Sequence, residues 1–410
     1  MPEAWKASTI SEILTKVSMP VDVEASSFYR EIGIRSHGKG IFHKAPLLGK
    51  ALGNKRVFHI EPGCFVVNIV FAWEQAVAKT TDAEVGMIAS HRFPMFKPKK
   101  ARCDIDFILY FFKTKRGKFL LELASPGGAG RNKTLGQSEF SKLRLMLPPT
   151  HEQKKIAQIL STWDKAITTT EQLLANSQQQ KKALMQQLLS GKKRLLDKNR
   201  VRFSGEWSIC TFGDLGNTYA GLTGKSKDDF GKGKPYIPYM NIFTNSRIDV
   251  QAMEYVQIRE NECQSKAQYG DIFFTTSSET PEEVGMSSVL LDRVDDLFLN
   301  SFCFGFRLND FKALIPEFAR YLFRGEHIRR NISFLGQGAT RYNLSKKQLL
   351  KLSLKLPKIE EQQKIAAVLS TADQEITALQ RKLDALKQEK KALMQQLLTG
   401  KRRVKVEEAA

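Results

Sequence analysis

Residues 143–167 read LRLMLPPTHEQKKIAQILSTWDKAI, and residues 352–376 read LSLKLPKIEEQQKIAAVLSTADQEI. The match runs on to KKALMQQLLSGKKR (181–194) and KKALMQQLLTGKRR (390–403). Residues 143–195 thus align without a gap on 352–404, offset by 209, with 29 identities in 53 positions. A self-match of that length at one spacing is an internal duplication, and it divides the chain into tandem halves. The repeated part stayed far more alike than the sequence before each copy, so the repeats share one job and the segments before them do two versions of another.

The repeat has a helical period. Ile156, Leu160, Trp163, Ile167, Thr170, Leu174, Ser177, Lys181, Leu184 and Leu188 follow one another in alternating steps of four and three. Ile365, Leu369, Ala372, Ile376, Leu379, Leu383, Leu386, Lys390, Leu393 and Leu397 repeat the phase. A sustained 3.5-residue period predicts a coiled-coil seam rather than a core helix. Lys181 and Lys390 occupy the same seam position. A charge there costs stability and fixes register, whereas a lysine that packs its stem and sends its ammonium to water does neither, so both readings stand.

Pro148 and Pro149 stop the preceding strand, Thr150 with Gln153 reads as a capping box, and Gly191 and Gly400 sit where a glycine cap closes a helix. Ser161 and Ser370 are places where a fresh helix could start, giving a bend. At 1.5 Å per residue the seam from Ile365 to Leu397 is roughly 48 Å long. The first helix leads into the second globular segment and the second has no further segment to reach, so short connections favour antiparallel pairing. The expected architecture is α+β: two mixed α/β domains separated by a long antiparallel two-helix coiled coil with pseudo-two-fold symmetry. The boundaries are 1–147 and 201–356 for the domains, 148–200 and 357–404 for the helical regions, and 405–410 for a disordered tail.

Fainter landmarks recur in the domains. Trp5 answers Trp207, Gly63-Cys64-Phe65 answers Gly270-Asp271-Ile272, and FILYFF (107–112) answers FARYLF (318–323). Runs such as 64–71, 271–276 and 300–308 read as strands. Their sheet order does not follow from the sequence.

Lys and Arg total 64 against 43 Asp and Glu, a net charge of +21. That excess points to an acidic partner, with nucleic acid first. Basic and hydrogen-bonding side chains cluster between the apolar runs: Arg35, His37 and Lys39; Lys97, Lys99, Lys100 and Arg102; Arg131, Asn132 and Lys133; Lys225, Lys227 and Lys232; Arg341, Tyr342 and Asn343. These residue types suit phosphates and base edges, and they are the candidate DNA-binding residues.

Signs of chemistry are missing. No Gly-x-Gly-x-x-Gly follows a strand, no Asn-Pro-Pro-Tyr-like tetrapeptide occurs, and in 127–134 Asn132 stands where a phosphate loop needs Gly. Neither the six His nor the five Cys show metal-ligand spacing. No catalytic or metal-binding residue is expected. The start, MPEAWKAST, has no secretory pattern, and the apolar run 66–73 is too short to span a bilayer, which makes a cytoplasmic protein without membrane contact the expectation.

Pro148 with Glu152-Gln153-x-Lys155-Ile156-Ala157 and Leu160, repeated as Pro357 with Glu361-Gln362-x-Lys364-Ile365-Ala366 and Leu369, strongly resembles the conserved regions of type I restriction-modification specificity subunits. KKALMQQLL followed by Ser/Thr-Gly-Lys at both helix ends does so too. The resemblance covers the whole domain order and implies two target-recognition domains, each reading half of a split double-stranded DNA site, with the coiled coil setting the unread spacer. It implies a non-catalytic chain whose partners are two modification subunits using S-adenosylmethionine and restriction subunits using ATP and Mg2+. Gln153, Lys155, Gln186 and Gln187, with Gln362, Lys364, Gln395 and Gln396, are the expected contacts to the modification subunits. The rival expectation is a coiled-coil nucleic-acid-binding scaffold without sequence specificity.

Overall fold

The computed structural model describes residues 5–99, 102–127, 133–338 and 340–405. They form two compact units, residues 1–171 with 381–410 and residues 172–380. The predicted tail, apart from Lys405, lies outside the described residues, as do Lys100, Arg131 and Asn132.

In the first unit the strand Lys6–Thr9 pairs antiparallel with Arg144–Leu147. Beside it stands a four-stranded antiparallel sheet in the order Leu14–Val17, Met95–Pro98, Phe65–Val67, Val77–Lys79. The FILYFF run is apolar on every side, too wide a stripe for a surface helix, and it forms a nearly fully buried helix, Ile105–Phe112. Asp104 starts it, its carboxylate accepting from the Phe107 amide at 2.9 Å. Phe65, Phe107, Phe112 and Phe140 fill the core, and Ile156 and Leu160 of one long helix, Leu397 at the end of the other and Leu398 just beyond it close it.

The helix Lys115–Leu123 follows almost at once. Its cap Thr114 accepts from the Gly117 amide at 3.0 Å, and a Cβ at buried Gly117 would lie 2.3 Å from the Phe111 carbonyl oxygen. Gly117→Ala is therefore expected to lower the stability of this unit by about 1–3 kcal/mol, because backbone cannot yield as a side-chain tip can. An unchanged urea midpoint would show that the turn has room after all.

The second unit is built the same way. Ser208–Thr211 pairs with Ser353–Leu356. The sheet order is Gly216–Ala220, Cys303–Leu308, Ile272–Thr275, Ser287–Val289. FARYLF falls in the helix Pro316–Leu322 and its C-terminal residue. Phe212 stacks on Phe306 at 3.7 Å in a core with Phe274, Phe304 and Phe323, closed by Leu188, Ile365 and Leu369. It also carries a three-stranded sheet of Phe230–Ile237, Glu254–Val256 and Phe298–Leu299.

The long helices run Thr150–Leu188 and Ile359–Leu397, each contributing one half to each unit. Within each unit the two halves are antiparallel. Asp164 meets Lys390 and Glu171 meets Lys387 in the first; Ser177 meets Glu375 and Lys181 meets Asp373 in the second. Ile156, Leu160, Leu383 and Leu397 of the first unit and Leu174, Leu188, Ile365 and Leu369 of the second are buried. Trp163, Ile167, Leu184, Ile376, Leu386 and Leu393 are half-buried. Gly191 and Gly400 end the helices at φ 71° and 72°, the left-handed conformation glycine adopts without strain.

The two seam lysines settle their ambiguity here. In the first unit the Asp164 carboxylate accepts from Lys390 at 2.5 Å and from the Tyr110 hydroxyl at 2.6 Å. In the second the Asp373 carboxylate accepts from Lys181, at 2.5 Å, from Tyr321 at 2.7 Å and from Arg320 at 2.8 Å. Neither lysine reaches out to solvent; each ties a helix pair to the domain beside it.

Two expectations are corrected. Gln153 is not half of a capping box: its side chain turns inward, donating to the Pro148 carbonyl at 2.8 Å and accepting from the Asp104 amide at 2.8 Å. No helix restarts at Ser161, because the Thr162 hydroxyl bonds back to the Gln158 carbonyl and the helix continues.

Candidate nucleic-acid interface

In the first unit the strand Phe65–Val67 runs into Asn68, which is buried and whose side-chain oxygen accepts from the Val70 amide at 3.1 Å, turning the chain. The turn is held on two sides. Ile69 donates to the Arg92 carbonyl at 3.0 Å and accepts from the Leu135 amide at 2.8 Å. The second bond lays 133–135 against the turn, where the Lys133 ammonium stands 5.7 Å over the Trp73 ring. Beside the turn lies a cavity of about 290 Å³ whose walls include Glu31, Lys44, Lys55, Asn68, His91 and Arg92, with Phe71 and Phe93. Lys44 neutralises the buried Glu31 at 3.3 Å. Lys55, His91 and Arg92 are exposed, and among the described residues their side chains have no hydrogen-bonded or acidic partner.

In the second unit Leu344 donates to the Thr276 carbonyl at 2.8 Å, the counterpart of Leu135 on Ile69. Tyr342–Leu344 then pairs with Ser277–Ser278. Arg341 donates to the Ser277 hydroxyl at 3.0 Å and Tyr239 to the Ser277 carbonyl at 3.0 Å. The hydroxyls of Ser278 and Thr280 converge on Glu283 at 3.3 and 3.0 Å. Burial raises the Tyr239 phenol above its ordinary range, so it stays a proton donor. This face mixes a guanidinium, hydroxyls and a carboxylate, where the first unit presents Lys55, His91 and Arg92.

The correspondence of Leu135 with Leu344 explains why 128–140 and 338–350 match loosely. The first has one more residue between its leading glycine and the buried leucine. Of the candidate DNA-binding residues, Lys133, Arg341, Tyr342 and Asn343 come to these two faces. Arg35, His37 and Lys39 lie on a separate turn, where His37 donates its amide to the Glu74 carbonyl at φ 59° and Arg35 covers Phe42. Lys97 is held by Glu61 at 2.5 Å and Lys99 by the Ser11 carbonyl at 2.7 Å, while Arg102 is exposed. Lys227 and Lys232 are exposed. Lys225 is a correction: its side chain is 3 % exposed and its ammonium is spent on Glu262 and the Gln257 carbonyl. Of the expected partner contacts, Gln153 and Gln362 are also corrected. Both are buried, Gln362 bonding to the Pro357 and Ala313 carbonyls and the Ile315 amide. Lys155, Lys364, Gln186, Gln187, Gln395 and Gln396 are exposed.

Sequence reading missed Lys44, Lys55, Asn68, His91 and Arg92, which come from separate segments, none of them a basic cluster of the length that drew notice elsewhere. A signal near them was available: Thr81-Asp-Ala-Glu84-Val-Gly-Met87 recurs as Thr280-Pro-Glu-Glu283-Val-Gly-Met286. Both form a turn in which the threonine hydroxyl donates to the glutamate and the glycine has positive φ. In the first unit His43 Nε2 also lies 2.8 Å from Glu84. Burial works to raise that carboxyl, and the bonds from His43 and Thr81 outweigh it, leaving it below the usual carboxylate range. Among the described residues no His, Cys, Asp and Glu gather as a metal site, and no helix is long and apolar enough to cross a membrane.

A duplicated α+β chain that sets one polar loop face on each unit, and ties each unit to an antiparallel helix pair, has the organisation of a two-site DNA-binding protein. The type I restriction modification DNA specificity domain matches residues 61–176 and 204–388, and the chain belongs to that family of specificity subunits, carrying its domain twice. It is 23% identical over 439 residues to the type I restriction enzyme MjaVIII specificity subunit of Methanocaldococcus jannaschii, covering 99% of this chain and 94% of the relative. The fold is that of the HsdS subunit from Thermoanaerobacter tengcongensis (TM-score 0.54, 18% identity, 98% of each chain). It is also that of the type I restriction-modification S subunit from M. genitalium (TM-score 0.56, 14% identity, 96% of each chain).

Proposed function

We propose that each unit reads one half of a split double-stranded DNA site, that the helix pair holds the unread gap constant, and that the chain makes and breaks no bond itself. The observation that carries this reading is the pair of corresponding loop faces, Lys133–Leu135 on Ile69 and Tyr342–Leu344 on Thr276, with different side chains on the same frame. A frame kept while its polar groups change is what two different half-sites require. Chemistry would come from partners: modification subunits that bind S-adenosylmethionine and methylate adenine, and restriction subunits that use ATP and Mg2+.

The helices support docking of two copies of one partner. Along 150–180 and its counterpart 359–389, shared residues exposed in both copies are confined to Lys155, Thr162, Thr168 and Gln179 with their equivalents. In 182–192 and 391–401, Lys182, Ala183, Gln186, Gln187 and Lys192 are exposed and all recur. Packing explains identity at buried positions, not at exposed ones; a surface touched in the same way twice explains the latter. Gln187→Arg is expected to cut the bound methyltransferase from two copies to one, and Gln187→Arg with Gln396→Arg to none, as read by light scattering of the co-expressed complex. Retention of two copies in the double variant would move the docking site elsewhere.

The reading as a whole is tested by mapping methylated adenines across a genome after co-expression with the modification subunit. The expected result is a motif of two fixed parts with a constant gap. One uninterrupted motif would overturn it.

A further inference from the structure

Resting on that reading, we infer that the cavity beside Asn68 is the first unit's base-reading subsite and takes an acceptor-rich base edge, that of guanine in the major groove. The groups around it are one-sided. Lys55, His91 and Arg92 are exposed and without an acidic partner among the described residues. Asn68 spends its side-chain oxygen on Val70, which leaves the amide N–H groups as what it can offer. The one carboxylate in the wall, Glu31, is 6% exposed and already answered by Lys44. The Ser90 hydroxyl in the same wall already accepts from the Arg92 amide at 3.4 Å, so the side-chain donors left over outnumber the acceptors, and such a wall is matched by guanine, whose major-groove edge presents N7 and O6 as two adjacent acceptors. Cytosine presents an amino donor there and would leave the wall's donors unpaired. The backbone of Arg92 is anchored by its carbonyl to Ile69, so the guanidinium starts from a fixed point. The corresponding face of the second unit carries Glu283, and exposed Glu279 nearby in the chain, whereas Glu84, the first unit's counterpart of Glu283, is buried and already bonded to His43 and Thr81.

The test is the methylated-site map of the complex carrying the intact chain, Arg92→Ala, Lys55→Ala or Arg341→Ala. The expected result is a guanine at a fixed position in one half-site whose requirement is relaxed by Arg92→Ala, with about 5- to 100-fold loss of discrimination at that position. The other half and the gap should be unchanged, and Arg341→Ala should relax the opposite half. The inference is overturned if Arg92→Ala and Lys55→Ala leave every position as selective as before. It is equally overturned if they weaken methylation uniformly with no position relaxed, which would make the cavity a phosphate clamp. Both outcomes still show a split motif in the intact complex. Failure of the underlying reading shows itself separately, as the absence of a split motif there.

Discussion

Replacing Arg194 by Met lowers the unfolding free energy of the second unit by about 3–5 kcal/mol. Arg194 grips Glu361 with two parallel bonds of 2.6 and 2.7 Å and donates a third to the Gly205 carbonyl at 2.9 Å. Glu361 is 1% exposed, so without the guanidinium its charge stays in a poorly hydrated place with nothing to offset it. Methionine keeps most of the stem volume, which confines the change to charge and hydrogen bonding. Urea titration followed by Trp207 fluorescence reads the effect locally, since Arg194 lies 5.8 Å from that ring. A loss below about 1 kcal/mol would mean that water reaches Glu361. The double exchange Arg194→Met with Glu361→Leu should recover most of the loss, because removing both charges removes the desolvation penalty along with the bond. Arg403 holds Glu152 in the first unit in the same manner but is far more exposed, so Arg403→Met is expected to cost less.

Asp373→Leu is the second large effect, about 2–4 kcal/mol. The substitution takes the acceptor from Tyr321, Arg320 and Lys181 at once, leaving two cations close together and the Tyr321 hydroxyl without its carboxylate acceptor. Asp164→Leu in the first unit should cost visibly less. Asp164 is 44% exposed against 25% for Asp373, and it answers one cation and Tyr110 rather than two cations and Tyr321. Chemical denaturation of the two variants side by side checks the order. Equal losses would show that Arg320 adds nothing to the second junction.

The helices and their pairing were legible because period and repetition are properties of sequence itself. Leu160 and Leu369 sit 209 residues apart in equivalent settings, and both are fully buried. The two seam lysines were visible as anomalies, but their partners were not. Asp164 and Asp373 sit one position beyond the seam residues Trp163 and Ala372, and only packing shows that each takes the lysine of the other copy. The binding faces were half legible. Lys133 and Arg341 to Asn343 stood in a recognisable block, while Lys55, Asn68, His91 and Arg92 come from three separate segments. Burial, too, misled in places. Gln153 and Gln362 carry polar amides in a helical first turn and read as surface, yet backbone groups at the ends of the preceding strand and of a neighbouring segment needed partners, and these side chains supply them.

By itself, then, the sequence determined that the chain is a duplication, that its repeats are long helices with an apolar seam, and that its surface suits an acidic partner. These follow from local periodicity and net charge, which need no knowledge of the third dimension. Only the tertiary structure decided the sheet order, the exchange of seam lysines between copies and the gathering of cations beside Asn68. Each depends on groups far apart in the chain being brought within hydrogen-bond reach, and no local preference encodes which of many distant partners a side chain will meet.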